Sequence, residues 1–176
     1  NLSTIFVGAR GTGKTALLSY LSREATAHGW ISSDVSAVPG MLEDIIERAN
    51  EAASEFINTP SATGVKGLTV GPLGVEWYAD RRGGNWRSRM NSLLDELARF
   101  NVGLLITVDE VTVDLDEMLL LASVYQHFVR EGRRVALLMA GLPYKVSRLL
   151  REDSVSFLRR AQSHQLGRIP DQEISS

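Results

Sequence analysis

Two short stretches of this sequence carry residue types at spacings that could do chemistry. The first is Gly8-Ala9-Arg10-Gly11-Thr12-Gly13-Lys14-Thr15, and the second is Asp109-Glu110. The first has the spacing G-x-x-x-x-G-K-[ST], which is that of a phosphate-binding loop. Gly8, Gly11 and Gly13 let the backbone turn tightly, so that its N–H groups converge on phosphate oxygens at a helix N-terminus. Lys14 sets a point charge against the β- and γ-phosphates, and the Thr15 hydroxyl is a ligand for Mg²⁺. The expected ligand is therefore a nucleoside triphosphate, held by residues Gly8 to Thr15 and the following Ala16.

Such a loop needs a strand before it and a helix after it. Ser3-Thr4-Ile5-Phe6-Val7 is short, apolar and β-branched, as a buried parallel strand should be. Ala16, Leu17, Leu18 and Leu21 supply a helical stripe running to about His28. Asp109 and Glu110 close the apolar run Val102 to Val108 (VGLLITV), the strongest strand candidate in the chain. A carboxylate at the C-terminal end of a parallel strand lies where ligands bind in open α/β sheets. Asp109 is then expected to hold Mg²⁺, and Glu110 to polarise an attacking water. The plainer alternative is a turn or helix cap after a strand.

The remaining elements alternate, which predicts an α/β protein with a three-layer α/β/α arrangement about a parallel sheet. Trp30 to Val38 reads as a second strand, broken by Pro39-Gly40. Met41 to Ile57 is a predicted helix, with Leu42, Ile45, Ile46, Ala49, Ala53 and Phe56 on one face. After the polar loop 58–66, Val65 to Tyr78 alternates loosely around Gly71-Pro72 and reads as an inserted β-hairpin. A helix from Trp86 to Phe100 leads into the Asp-Glu strand. Asp114 and Glu117 have the D-x-x-E spacing of a capping box for a helix from Leu115 to Arg130, with Met118 and Leu119 to Leu121 as core. Val135 to Ala140 is another buried strand, closed by Gly141-Leu142-Pro143. Helices at Tyr144 to Arg151 and Ser154 to Ala161 follow, with a last short strand near Gln165-Leu166-Gly167.

Composition limits the classes of partner. A chain of 176 residues with 44% hydrophobic and 23% charged residues reads as one ordinary globular domain, or one and a fragment. Its net charge of −2 argues against nucleic-acid binding by the whole surface, though not by a local patch. Without cysteine it has neither disulfides nor thiolate metal sites. No run has the length of a membrane span and no signal peptide precedes the first strand, so a cytoplasmic protein without membrane partners is the expectation. The chain opens directly on a strand and ends without a convincing final element, which reads as a core lacking N- and C-terminal parts. His28, His127 and His164 have no metal-ligand spacing.

GARGTGKT, LLITVDE, the inserted hairpin, VALLMAGLP and FLRRA together resemble the AAA+ ATPases, and the resemblance spans nearly the whole chain. It looks most like the bacterial and archaeal AAA domains allied to origin-recognition and STAND switch ATPases. The guanine-binding pattern Asn-Lys-x-Asp is absent from the sequence, and small-molecule kinases usually lack the Asp-Glu pair. The resemblance implies ATP or ADP as the nucleotide, Mg²⁺, and an adjacent Glu preparing water for hydrolysis coupled to conformational change. It further implies a nucleotide-dependent assembly or switch protein, normally with a C-terminal lid and often a winged-helix domain, and leaves open whether the chain forms a homo-oligomer.

Two carried-over roles are less direct. The strand after the Asp-Glu strand normally ends in a polar residue, whereas Val135 to Ala140 ends Met139-Ala140-Gly141. That departure argues against efficient hydrolysis and for a slow nucleotide switch. Arg159 and Arg160 resemble the arginine that reads the γ-phosphate, with Arg160 as the catalytic candidate; the alternative is two solvated helix arginines. An initiator-like DNA-binding ATPase is a third reading, through the basic stretch Arg81 to Arg89 with Trp77, Tyr78 and Trp86 nearby, or through regions outside this chain. The plainer reading of that stretch is a solvated loop with tryptophans packing beneath.

Overall fold

The computed structural model describes residues 3–58 and 85–167, with the side chains of residues 57 and 58 left aside. In chain order the elements are β1 (Ser3–Gly8), α1 (Lys14–Ala27), β2 (Trp30–Ser36), α2 (Met41–Asn58), α3 (Trp86–Arg99), β3 (Gly103–Asp109), α4 (Asp116–Arg130), β4 (Val135–Gly141), α5 (Pro143–Arg151), a 3₁₀ segment (Asp153–Arg160) and β5 (Gln162–Leu166). The hairpin expected over residues 65–78 lies outside the described residues, as do residues 81–84 of the basic stretch.

All five strands are parallel, in the order β2-β3-β4-β1-β5. The chain leaves β1, crosses two strand positions through α1 to reach β2, and steps back through β3 and β4. It then passes β1 to place β5 on its far side. The strand order therefore reverses at β1, and ligands bind beyond the carboxyl ends of strands at such a switch point.

Strand alternation sorts the sheet into two faces. Ile5, Val7, Ile31, Val35, Leu104, Ile106, Val108, Val135, Leu137 and Met139 join the main core with α2, α3, α4 and α5. The α2 face brings Met41, Leu42, Ile45, Ile46, Ala49 and Ala53 to the sheet at helical spacing, all buried. Burial of each of the four larger side chains, Met41, Leu42, Ile45 and Ile46, contributes roughly 1.5–3 kcal/mol. The opposite face carries Phe6 and Ala140 under Leu18 of α1, with Leu17, Leu21 and Leu138 beside them. Towards β2 this face turns polar, where Asp34 accepts hydrogen bonds from Ser22 of α1 and, at 2.7 Å, from Thr107 of β3. The expected layers are therefore present, with the apolar β3 in the middle of its own run of strands.

Four local expectations need correction. The strand from Trp30 stops at Ser36, because the Val38 N–H turns back onto the Ser36 carbonyl at 2.8 Å. Leu120 is not core: one residue past the buried stripe of Met118, Leu121, Ala122 and Tyr125, it points to solvent. Asp114 and Glu117 do not form a capping box on α4, whose N-cap is Leu115 without a side-chain cap. Glu117 instead accepts the backbone N–H groups of Gly40 at 2.7 Å and Leu42 at 2.8 Å, at the start of α2. Asp114 pairs with Arg148 of α5 at 2.9 Å. Both carboxylates serve neighbours in space, which a D-x-x-E spacing does not reveal. The last strand also starts earlier than expected, at Gln162.

Candidate functional site

The loop between β1 and α1 is built from left-handed and close-packed backbone. Gly11 and Gly13 have φ of 76° and 81°, a region that side chains strongly disfavour. Gly8 is constrained by space instead: a Cβ there would stand 2.5 Å from Thr12 Oγ1 and 3.0 Å from the Leu166 carbonyl. Thr12 donates its hydroxyl to the Ala9 carbonyl at 2.9 Å. Lys14 is buried in a nest of its own loop, its Nζ donating to the Gly8 carbonyl at 2.9 Å and the Ala9 carbonyl at 2.7 Å. The first helical turn of α1 follows directly, with Gly13 as N-cap and no side chain occupying the cap. N–H groups at such a terminus attract anions.

Asp109 arrives from two strands away. β4 separates β3 from β1, yet the Thr15 hydroxyl donates to Asp109 Oδ2 across that gap. The other oxygen, Oδ1, accepts the Glu110 N–H at 2.8 Å. Both carboxylate oxygens are thus held, and the group is half-buried at the strand end.

Glu110 sits in the left-handed region, with φ of 57°. For a non-glycine residue that costs of order 1–3 kcal/mol and persists only where the surroundings enforce it. They do so from both sides. The Asp109 carbonyl accepts the Ala37 N–H at 2.9 Å, and the Val111 N–H donates to the Ala140 carbonyl at 3.0 Å. Between these two ties Glu110 makes a sharp turn and leaves its side chain exposed, one residue on from Asp109.

The end of β4 is closed by apolar groups. A Cβ at Gly141 would meet Val111 Cγ2 at 2.8 Å and Val146 Cγ2 at 3.0 Å. Val111, two residues from Asp109, therefore fills the space where a polar side chain at the end of β4 would stand. Sequence alone shows that nothing polar occupies this position; that Val111 and Val146 leave no room for it is visible only in the packing.

Arg159 and Arg160 are not brought to this chain's own loop. Gln162 pairs with Thr4 and Leu166 with Gly8, so Arg160 precedes the amino end of β5 while the loop leaves the carboxyl end of β1. At about 3.3 Å per residue the two lie roughly 20 Å apart. Arg159 is engaged structurally, with Nε on the Leu150 carbonyl at 2.7 Å and Nη2 on that of Arg151 at 3.3 Å, at the end of α5. Arg87 and Arg89, the described arginines of the basic stretch, pair with Glu131 at 3.0 Å and with Glu43. The Arg89 hydrogen bond holds the Glu43 carboxyl below its ordinary range. Trp86 is buried and donates its indole N–H to the Leu42 carbonyl at 2.7 Å, as the plainer reading of that stretch expects.

No protein-family model matches the sequence, and no curated protein matches it. Solved structures do match in fold. Cdc6p from Pyrobaculum aerophilum is 16% identical, with 93% of this chain and 38% of that one covered at a TM-score of 0.56. The Drosophila ORC bound to DNA is 14% identical, with 97% and 39% covered and a TM-score of 0.56. The cytoplasmic domain of the Thermomonospora curvata type VII secretion ATPase EccC is 12% identical, with 98% and 20% covered at a TM-score of 0.50. The likeness is one of fold: this chain has the parallel-sheet α/β architecture of those structures. The chain spans less than two fifths of the length of these structures. Among the described residues no helix is long and apolar enough to cross a membrane.

Proposed function

We propose that this chain is a nucleotide-binding core that takes Mg-ATP and hydrolyses it slowly. The observation that carries the reading is the meeting of the Thr15 hydroxyl with the Asp109 carboxylate at the mouth of the phosphate loop, with Glu110 turned out beside them. Hydroxyl and carboxylate oxygens at a loop that gathers phosphate are the hard donors Mg²⁺ prefers, so the residues present fit that ion. When bound there, Mg²⁺ neutralises charge on the β- and γ-phosphates. Lys14 adds a fixed positive charge, and the N–H groups of the loop and of the start of α1 orient the phosphates.

The Glu110 carboxylate is the general base in this reading. It takes a proton from water as the water oxygen bonds to the γ-phosphorus and the bond to the β,γ-bridging oxygen breaks, leaving ADP and inorganic phosphate. Its enforced turn sets the carboxylate outward, exposed among the described residues. ATP rather than GTP is supported by the missing guanine-binding pattern in the sequence.

The closed end of β4 favours the slower variant, a switch that holds nucleotide and turns over rarely. With Val111 and Val146 against Gly141, the end of β4 has, among the described residues, no room for a polar side chain to help Glu110 hold the water. The ion pairs of Arg87 and Arg89 speak against these two arginines as a free DNA-binding patch. Phosphate release and nucleotide retention by the wild-type protein, Lys14→Ala and Glu110→Gln test the proposal. Wild type should release phosphate with Mg-ATP, and Lys14→Ala should lose nucleotide affinity. Glu110→Gln should keep ATP while turnover falls by about 10²-fold or more. Unchanged turnover in Glu110→Gln would overturn the assignment of the base. Rapid turnover by wild type alone would sink the switch variant.

A further inference from the structure

Two carboxylates of the sheet take a hydroxyl from α1. Thr15 donates to Asp109 at the end of β3, and Ser22 donates to Asp34 of β2. The two donors are about two turns, or about 10.5 Å, apart along one face of the helix. A helical hydroxyl commonly finds its acceptor within its own helix, as Thr26 does at the Ser22 carbonyl, 3.0 Å away. Ser22, although buried, reaches across to the sheet instead.

Asp34 passes that tie on. It stands beside Thr107 in the register of β2 with β3 and accepts the Thr107 hydroxyl at 2.7 Å. One oxygen, Oδ1, takes both hydroxyls, and among the described residues no other hydrogen bond or ion pair reaches Asp34. Thr107 lies two residues before Asp109, so both side chains leave β3 on the same face. The helix that carries Thr15 and the strand that carries Asp109 are thus joined twice: directly at their ends, and through Asp34 further along α1. The apolar cluster under α1 draws on β1, β4 and β5. The two hydroxyl ties reach the other half of the sheet.

Mg²⁺ tolerates little departure from its preferred oxygen geometry, so the placement of a helix hydroxyl relative to a strand carboxylate decides how well a site holds it. A helix tied to β3 at one point can still swing about that point. A second tie two turns away fixes its direction as well. We propose that Asp34 is a positioning residue for the Mg²⁺ site, one that keeps the Thr15 hydroxyl at a fixed spacing from the Asp109 carboxylate by locking Ser22 of α1 to Thr107 of β3. The inference rests on the Mg-ATP reading above and adds a residue that no motif in the sequence marks.

The test uses the full-length protein with Mn²⁺ as the probe, read by electron spin resonance of the ion bound together with ADP, beside phosphate release against free Mg²⁺ concentration. Asp34→Ala should weaken Mn²⁺ binding by about tenfold, the lower end of the loss when an outer-shell partner is removed. The Mg²⁺ concentration for half-maximal phosphate release should rise by a similar factor, while ADP affinity in excess chelator stays as in wild type. Asp34→Asn keeps an acceptor oxygen for both hydroxyls and should recover most of the metal affinity. Ser22→Ala and Thr107→Val each cut one half of the bridge and should shift metal binding in the same direction, whether or not Asp34→Ala folds. The inference is overturned if Asp34→Ala melts earlier yet holds Mn²⁺ as wild type does, because the bridge would then serve stability alone. It is equally overturned if Asp34→Asn is as impaired as Asp34→Ala, which would assign the effect to charge, or if neither Ser22→Ala nor Thr107→Val shifts the metal. Wild type whose nucleotide binding responds to neither ion would instead bring down the Mg-ATP reading itself.

Discussion

Gly8 shows how little freedom the phosphate loop leaves to a single residue. The space for its Cβ is taken by the Thr12 hydroxyl on one side and the Leu166 carbonyl on the other. One of those neighbours is backbone and cannot yield, and Thr12 is itself hydrogen-bonded to Ala9. Gly8→Ala should therefore destabilise the protein by about 1–3 kcal/mol, in line with overpacking elsewhere. It should also weaken nucleotide binding, because relieving the clash displaces the carbonyl that holds Lys14. Urea unfolding and nucleotide titration of the variant check both effects. At this scale the sequence was informative: the spacing of Gly8, Gly13, Lys14 and Thr15 marks out the tight turn between β1 and α1 that the structure has there. Val111 was not legible, since an isolated valine after an Asp-Glu pair carries no signal of what it packs against.

At the scale of elements, the start of α2 depends on a residue of α4. The N–H groups of Gly40 and Leu42 both end on the Glu117 carboxylate, so one side chain satisfies two donors at the helix N-terminus and complements its dipole. Glu117→Ala should cost about 1–2 kcal/mol of stability. Amide exchange should accelerate selectively at Gly40 and Leu42, while Glu117→Gln keeps part of the protection. Equal exchange in all three proteins would show that the cap contributes nothing. The same contact explains why the D-x-x-E spacing misleads. A capping pattern records which residues are near in sequence, and here the nearer donors in space belong to another helix. Helix and strand positions were otherwise well foreseen, because apolar periodicity alone decides which face of α2, α3 or α4 meets the sheet.

At the scale of the whole molecule, the main core is anchored by Tyr125, fully buried on α4 and in ring contact with Phe157 of the 3₁₀ segment at 6.1 Å. Burial pushes its hydroxyl up from 10.0 to about 12, against an opposing backbone hydrogen bond with Leu137. The folded protein therefore holds this proton more tightly than the unfolded chain. The resulting stability is fully present below pH 10.0 and is lost as pH climbs to about 12. The slope should not exceed about 1.4 kcal/mol per pH unit from this group. Urea melts through that range should show the loss in wild type and a flatter profile in Tyr125→Phe. A slope unchanged by the substitution would assign the loss to other groups.

The sequence by itself determined the phosphate loop, the Asp-Glu strand end, the alternation that makes an α/β sheet, and the absence of a polar residue at the close of β4. These are legible because each depends on neighbours within a turn or a strand, where geometry follows from spacing. Tertiary structure alone decided the order β2-β3-β4-β1-β5, the reach of Thr15 to Asp109 across an intervening strand, and the opposite placement of Arg160 and the loop. It also decided the enforced turn at Glu110, which is held by Ala37, just past β2, on one side and by Ala140 of β4 on the other. Each of those depends on which strands lie side by side, and that is settled by the packing of whole faces rather than by any local run of residues.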